Sequence, residues 1–326
     1  MVLLGVLSVP VVPQLIGLAA GLLFLLAFEV GALRLRKAGA PSRHLGSPSL
    51  VRIAVIVWLA AFVWPVWNLA RSYTVGVALQ EGLFALAVPV LVVLGAPWGA
   101  LAAVVGKRPP EVRRVRPSLR SVERAPTGFK IDLGRDRPGM GTGLGGGSRG
   151  TWKAWLALGF FVASYACWRT PFAVDGLHRI SALVLLEAAW LCVAGVLLWM
   201  ELVGSGVFSP RCDRPARMGI AAVAMWSVWI MGFVLGFSHT PWYRAYLRSG
   251  DALSGMIDQE MTAGLLFLTG VAAFVPLIFS TLIRWLRSQD DTDDALYEAL
   301  REEASRIAEE RDRDNGGPHR LAGGSG

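Results

Sequence analysis

Residues 180–201 read ISALVLLEAAWLCVAGVLLWME, an apolar run broken only by Glu187 before Glu201 closes it. A helix needs about twenty such residues to cross the hydrocarbon core of a bilayer, whereas strands and most buried soluble helices are shorter. The stretch therefore reads as a transmembrane helix. Six further apolar runs, at 12–33, 52–70, 76–105, 152–168, 217–238 and 261–283, are bounded by charge, Gly or Pro. Together they predict an all-α polytopic membrane protein, a bundle of seven transmembrane helices. The run at 152–168 is short. The one at 76–105 contains Pro89 and Pro97, which lack the amide proton a helix uses and so kink it or end it early.

Composition points the same way. Of 326 residues, 54% are hydrophobic and 17% charged, against about 25% charged in ordinary soluble domains. That excludes a soluble enzyme and a disordered chain, and three Cys exclude a disulfide scaffold. The net charge of +8 is concentrated: residues 107–153 carry twelve Lys or Arg and four acids, which equals the whole excess. A basic loop between apolar runs sets membrane orientation, with anionic lipid headgroups a sufficient partner, and no nucleic acid is expected.

Connections 34–52, 107–153 and 202–217 hold five, twelve and three Lys or Arg; those around 71, at 169–179 and at 239–260 hold one, two and two. The richer set faces the cytoplasm by the positive-inside rule, so the N-terminus is expected outside and the C-terminus inside. The first twelve residues lack the basic start of a cleavable signal, and Arg34, Arg36 and Lys37 follow the first run, which predicts an uncleaved anchor. The chain thus divides into a seven-helix domain, 1–286, and a charged cytoplasmic tail, 287–326. Within the first, 107–151 forms a basic, Gly-rich loop whose run at 139–150 lacks phosphate-loop spacing and reads as a flexible linker. In the tail, residues 287–320 hold eleven acids and six arginines. Leu296, Leu300 and Ile307 at near-helical spacing predict a short solvated helix over about 292–312.

Charges inside spans are expensive and hence the first functional candidates. Glu29 lies near the cytoplasmic end of the first run. Glu81, Arg169, Glu187 and Asp258 all fall toward the outer leaflet from four different runs or their ends, where an arginine beside carboxylates would keep them ionised; alternatively each reaches the interface separately. Gln80 and Gln259 adjoin this set, and Asp258 and Gln259 stand where they can cap the last helix. Metal ligands are scarce. His44 and His319 belong to cytoplasmic segments, leaving His178, His239 and Cys167 as weak outer-side candidates that are more simply read as packed or interfacial residues. Trp58, Trp64, Trp67, Trp168, Trp199, Trp242 and Trp285 lie near the expected span ends, as in an aromatic belt. No catalytic triad, nucleotide loop, Cys-x-x-Cys pair or inverted repeat is present, so no enzymatic reaction is expected, and a small-solute transporter ranks last.

The order of Gln80-Glu81, Val88-Pro89, Leu94-Gly95-Ala96-Pro97, Trp168-Arg169-Thr170-Pro171, Glu187, Gly195, Trp199, Pro241-Trp242-Tyr243, Tyr246, Asp258-Gln259, Gly264 and Arg284-Trp285-Leu286-Arg287 resembles the CtaG family of the caa3 type. The resemblance covers most of the chain. It implies a seven-helix bundle in the bacterial plasma membrane that supports cytochrome c oxidase assembly, with haem-copper oxidase subunits as partners and copper handled at the outer face. This chain departs from the family at the imidazoles. Where the family carries two His four apart in the third span, it has Val77 and Glu81; around the fifth-span Glu it has Val184 and Ala188; before the Thr-Pro pair it has Arg169. Valine and alanine cannot ligate, and a guanidinium repels a cation. The expectation is that an Arg169 pair with Glu81 or Glu187 occupies the place of a metal site. No cofactor is then assigned, copper being the one the resemblance leaves open. A non-enzymatic assembly factor and a metal-free scaffold subunit of a respiratory complex remain the two leading readings.

Overall fold

The apolar runs fold as helices. The computed structural model describes residues 11–38, 47–106, 148–203, 212–248 and 254–315, and no strand occurs among them. In chain order the helices are α1 (Val11–Lys37), α2 (Pro48–Phe62), α3 (Val66–Ser72), α4 (Thr74–Gly82), α5 (Val88–Gly95), α6 (Trp98–Val104), α7 (Ser148–Trp168), α8 (Pro171–Arg179), α9 (Leu183–Leu202), α10 (Arg214–Gly236) and α11 (Gly255–Asn315). A π-helical turn, Leu83–Ala87, joins α4 to α5, and a 3-10 turn covers Arg244–Arg248. The N-terminal segment before residue 11, His44, His319 and the Gly-rich loop up to residue 147 lie outside the described residues.

Five segments are long and apolar enough to cross a membrane: Val11–Lys37, Thr74–Gly95, Leu183–Leu202, Arg214–Gly236 and Gly255–Arg287. A sixth arises if α2 and α3 count as one span bent by 42°. Helix α7, over the short fourth run, has 21 residues but is not one of these. The bend between α2 and α3 falls at Trp64 and Pro65, where a missing amide interrupts the helical ladder. Pro89 acts differently: it cannot donate to the Ala85 carbonyl four residues earlier, and the π-turn just before it absorbs the mismatch while the span continues. Pro97 does end the span, for α5 stops at Gly95 and Ala96 turns left-handed at φ 47° before α6 begins.

The chain divides into two units, Met1–Ile278 and Phe279–Gly326. In the first, α9 packs on α5, α7 and the π-turn. In lipid the gain comes from close packing more than from release of water, so small residues at the contacts matter. A Cβ on Gly195 would collide with the Ala85 carbonyl and the Pro89 ring, and one on Gly31 with the Ala100 carbonyl; only glycine permits these backbone approaches. Aromatic rings fill the wider spaces. Trp58, Phe62 and Phe84 lie 5.2–5.4 Å apart, and Trp199 stacks on Phe274 at 5.5 Å. The belt reading therefore fails for Trp67 and Trp199, 3% and 2% exposed, and for Trp58, which packs against this core. Interior rings and belt rings can share one position along a helix and differ only in the face they occupy.

The second unit contains the rest of α11 beyond Ile278. The tail helix expected over 292–312 is not a separate element but the C-terminal part of α11, whose Tyr297, Leu300 and Ile307 are exposed.

Candidate functional site

Arg169 owes its position to the two residues after it. Pro171 cannot follow a helical residue comfortably, so Thr170 is extended (ψ 145°) and α7 ends at Trp168. Thr170 then caps α8, its Oγ1 accepting from the Ala173 amide at 3.3 Å. Arg169 is left between the two helices with its side chain 2% exposed, and its Nη2 lies 2.6 Å from Oε2 of Glu81, itself 1% exposed. Of the two carboxylates considered for Arg169, the ion pair is made with Glu81. It is a contact of charges: no guanidinium N–H is aligned on a Glu81 oxygen with hydrogen-bond geometry.

Glu187 comes from α9, equally buried, and its carboxyl faces that of Glu81 within hydrogen-bonding range. Two tyrosines complete the group. Tyr165, one turn before Arg169 on α7, sets its hydroxyl beside the guanidinium, and the Tyr243 hydroxyl donates to the Arg169 carbonyl at 3.2 Å. Val77 and Val184 line one small cavity together with Glu187, Gln80, Arg71 and Tyr246. Positions that the resemblance assigns to imidazoles on two helices thus converge in space, but here they carry methyl groups.

The remaining polar candidates are structural ties rather than members of the cluster. Asp258 does not cap its own helix; Ser254 does, accepting from the Ile257 amide at 3.3 Å. Asp258 instead accepts from the Thr74 amide (2.7 Å), the Thr74 hydroxyl (2.8 Å) and the Val75 amide (3.0 Å), so α11 caps α4. A cap between helices far apart in sequence satisfies the same free amides as a local one. Gln259 likewise leaves its own helix: Oε1 accepts from the Trp242 amide and Nε2 donates to the Leu235 carbonyl, both at 2.9 Å. Gln80 donates to the Ala61 carbonyl at 2.7 Å, beside the break between α2 and α3. Glu29 pairs with Arg52 at 2.8 Å in an exposed contact.

The weak metal candidates do not meet. Cys167 and His239 are exposed, while the His178 ring packs edge-on against Tyr246 at 4.9 Å. Among the described residues no three His, Cys, Asp or Glu side chains are placed to hold an ion. Arg71 escaped the sequence reading, although a lone arginine at a span end was the available signal; it donates to the Leu177 carbonyl at 2.9 Å. Tyr165 also escaped, and its spacing of four before Arg169 would have placed both on one helical face.

A helical chain with several membrane-length apolar segments, and with Glu81, Arg169, Glu187 and Asp258 buried among them, is a polytopic membrane protein. Residues 26–288 match the family model of the cytochrome c oxidase caa3 assembly factors, Caa3_CtaG, and the chain belongs to that family. No curated protein and no solved structure matches it.

Proposed function

We propose that this chain supports cytochrome c oxidase assembly as a non-catalytic membrane scaffold that does not itself hold copper in its helical bundle. Family membership implies the assembly role. The observation that carries the metal-free reading is the Arg169–Glu81 contact at 2.6 Å, at two of the positions the resemblance assigns to imidazoles. A donor set of two valines, an alanine, one carboxylate and a fixed guanidinium does not suit copper, and the cation would meet the Arg169 charge. The scaffold is a seven-span bundle with its N-terminus outside, its basic connections and tail in the cytoplasm, and the Arg169 cluster in the outer leaflet; the distribution of Lys and Arg supports this orientation. Oxidase subunits and membrane lipids are its partners.

Deleting the protein and measuring oxidase activity with and without added copper tests the proposal. The scaffold role requires a loss that copper does not restore. Rescue by copper would assign delivery instead.

A further inference from the structure

Glu187 is 1% exposed, and its Oε1 has no donor. Neither Glu81 oxygen has an aligned donor either, despite the guanidinium beside it. An ionised carboxylate only accepts, so two that face one another present four oxygens and no hydrogen between them. The charge count repeats the deficit: two carboxylates and one guanidinium leave a surplus negative charge out of water, which two facing carboxylates remove by sharing a proton. The surrounding groups do not supply the missing donor. The Tyr165 hydroxyl of α7 lies beside Arg169 but makes no hydrogen bond, to either carboxylate or to any other group among the described residues, and the Tyr243 hydroxyl is committed to the Arg169 carbonyl. Tyr246 donates to the Ala70 carbonyl at 3.0 Å, and Asp258 of α11 is held by α4. On α8, Asp175 accepts from the Ala245 amide and His178 packs on Tyr246. Arg71 of α3, which also lines the small cavity, donates to the Leu177 carbonyl.

That cavity offers about 10 Å³ to the centre of a water molecule, the size of a single-water site. Its walls include the buried Glu187 and Gln80 and the partly exposed Arg71. We propose that Glu81 and Glu187 form a proton-binding site, holding one proton between them and exchanging it with the medium through one water in this cavity. The ligand is a proton delivered by water, and the site is distinct in kind from the copper site the family resemblance implies. The inference does not depend on the assembly role.

Infrared spectroscopy of the full-length protein in lipid vesicles tests it. The wild type shows the carbonyl band of a protonated carboxylic acid, which shifts when H2O is replaced by D2O. Both Glu187→Gln and Glu81→Gln abolish that band, because removing either carboxyl leaves the other matched to Arg169. Persistence of the band in Glu81→Gln would overturn the shared site, as would its absence from the wild type. Ala70→Leu fills the cavity wall and slows the deuterium shift roughly tenfold or more, since exchange then requires local opening. Val184→Ile adds a single methylene to the same cavity and slows the shift in the same direction. An unchanged exchange rate in whichever of these variants retains its helical circular dichroism would overturn the route.

Discussion

At the scale of the residue, Arg169 is, among the described residues, the cation paired within the buried cluster, its partner being Glu81. Removing one partner of a buried ion pair leaves an uncompensated charge, typically at a cost of about 3–5 kcal/mol. Arg169→Gln is expected to lower stability by that order in chemical unfolding in micelles, and the double variant Arg169→Gln, Glu81→Gln by clearly less than the sum of the singles. Additivity would mean that the pair is not coupled. His178 gives a second residue-level expectation. Burial first, and then the charge of Arg71, hold its imidazole below the ordinary value. The unfolded chain takes up a proton near pH 6.5 while the folded one resists it, so the His178 contribution to stability is present above that pH and declines as pH falls through it. Unfolding midpoints at about pH 7.5 and about pH 5.5 should differ more in the wild type than in His178→Gln.

At the scale of the element, proline and small residues decide how the helices break and meet. Thr170-Pro171 splits α7 from α8 and aims Arg169 inward, whereas Pro89 is tolerated within a span by the π-turn before it. The Asp258 cap ties α11 to α4 over 184 residues of sequence. Asp258→Ala leaves the Thr74 and Val75 amides without their acceptor, and loss of a cap costs about 0.5–2 kcal/mol. The same change should raise amide hydrogen exchange selectively at the start of α4. Exchange raised instead at the start of α11 would indicate that Asp258 caps its own helix after all.

At the scale of the whole molecule, the proposed seven-span arrangement and its orientation are tested by the accessibility of single cysteines to an impermeant thiol reagent in intact cells. On a chain freed of its three native cysteines, a cysteine replacing Phe172 on α8, which is 90% exposed, is expected to be labelled, and one replacing the exposed Tyr297 is not. The reverse pattern would invert the orientation. Most spans were legible at this scale: the run at 180–201 becomes Leu183–Leu202, and that at 217–238 becomes Arg214–Gly236. The extent of the last helix was not legible, because its polar second half lacks the apolar continuity that marked the first. The site was legible in part. Glu81, Arg169 and Glu187 stand out as charges in apolar surroundings, but Tyr165 and Arg71 do not, since a tyrosine or an arginine near a span end has an ordinary interfacial explanation.

Sequence alone determined the helical class, the positions of the apolar segments and the absence of imidazoles where the family resemblance places them. These follow from composition and local periodicity, which act over one helix at a time. Tertiary structure alone decided which carboxylate meets Arg169, that Asp258 caps a distant helix, and that Val77 and Val184 share one cavity with Glu187. Each of these depends on which faces of separate helices come together. Periodicity within one helix fixes the angle between its own side chains, whereas the pairing of faces is set by where glycine lets two backbones approach and where a proline break redirects the chain.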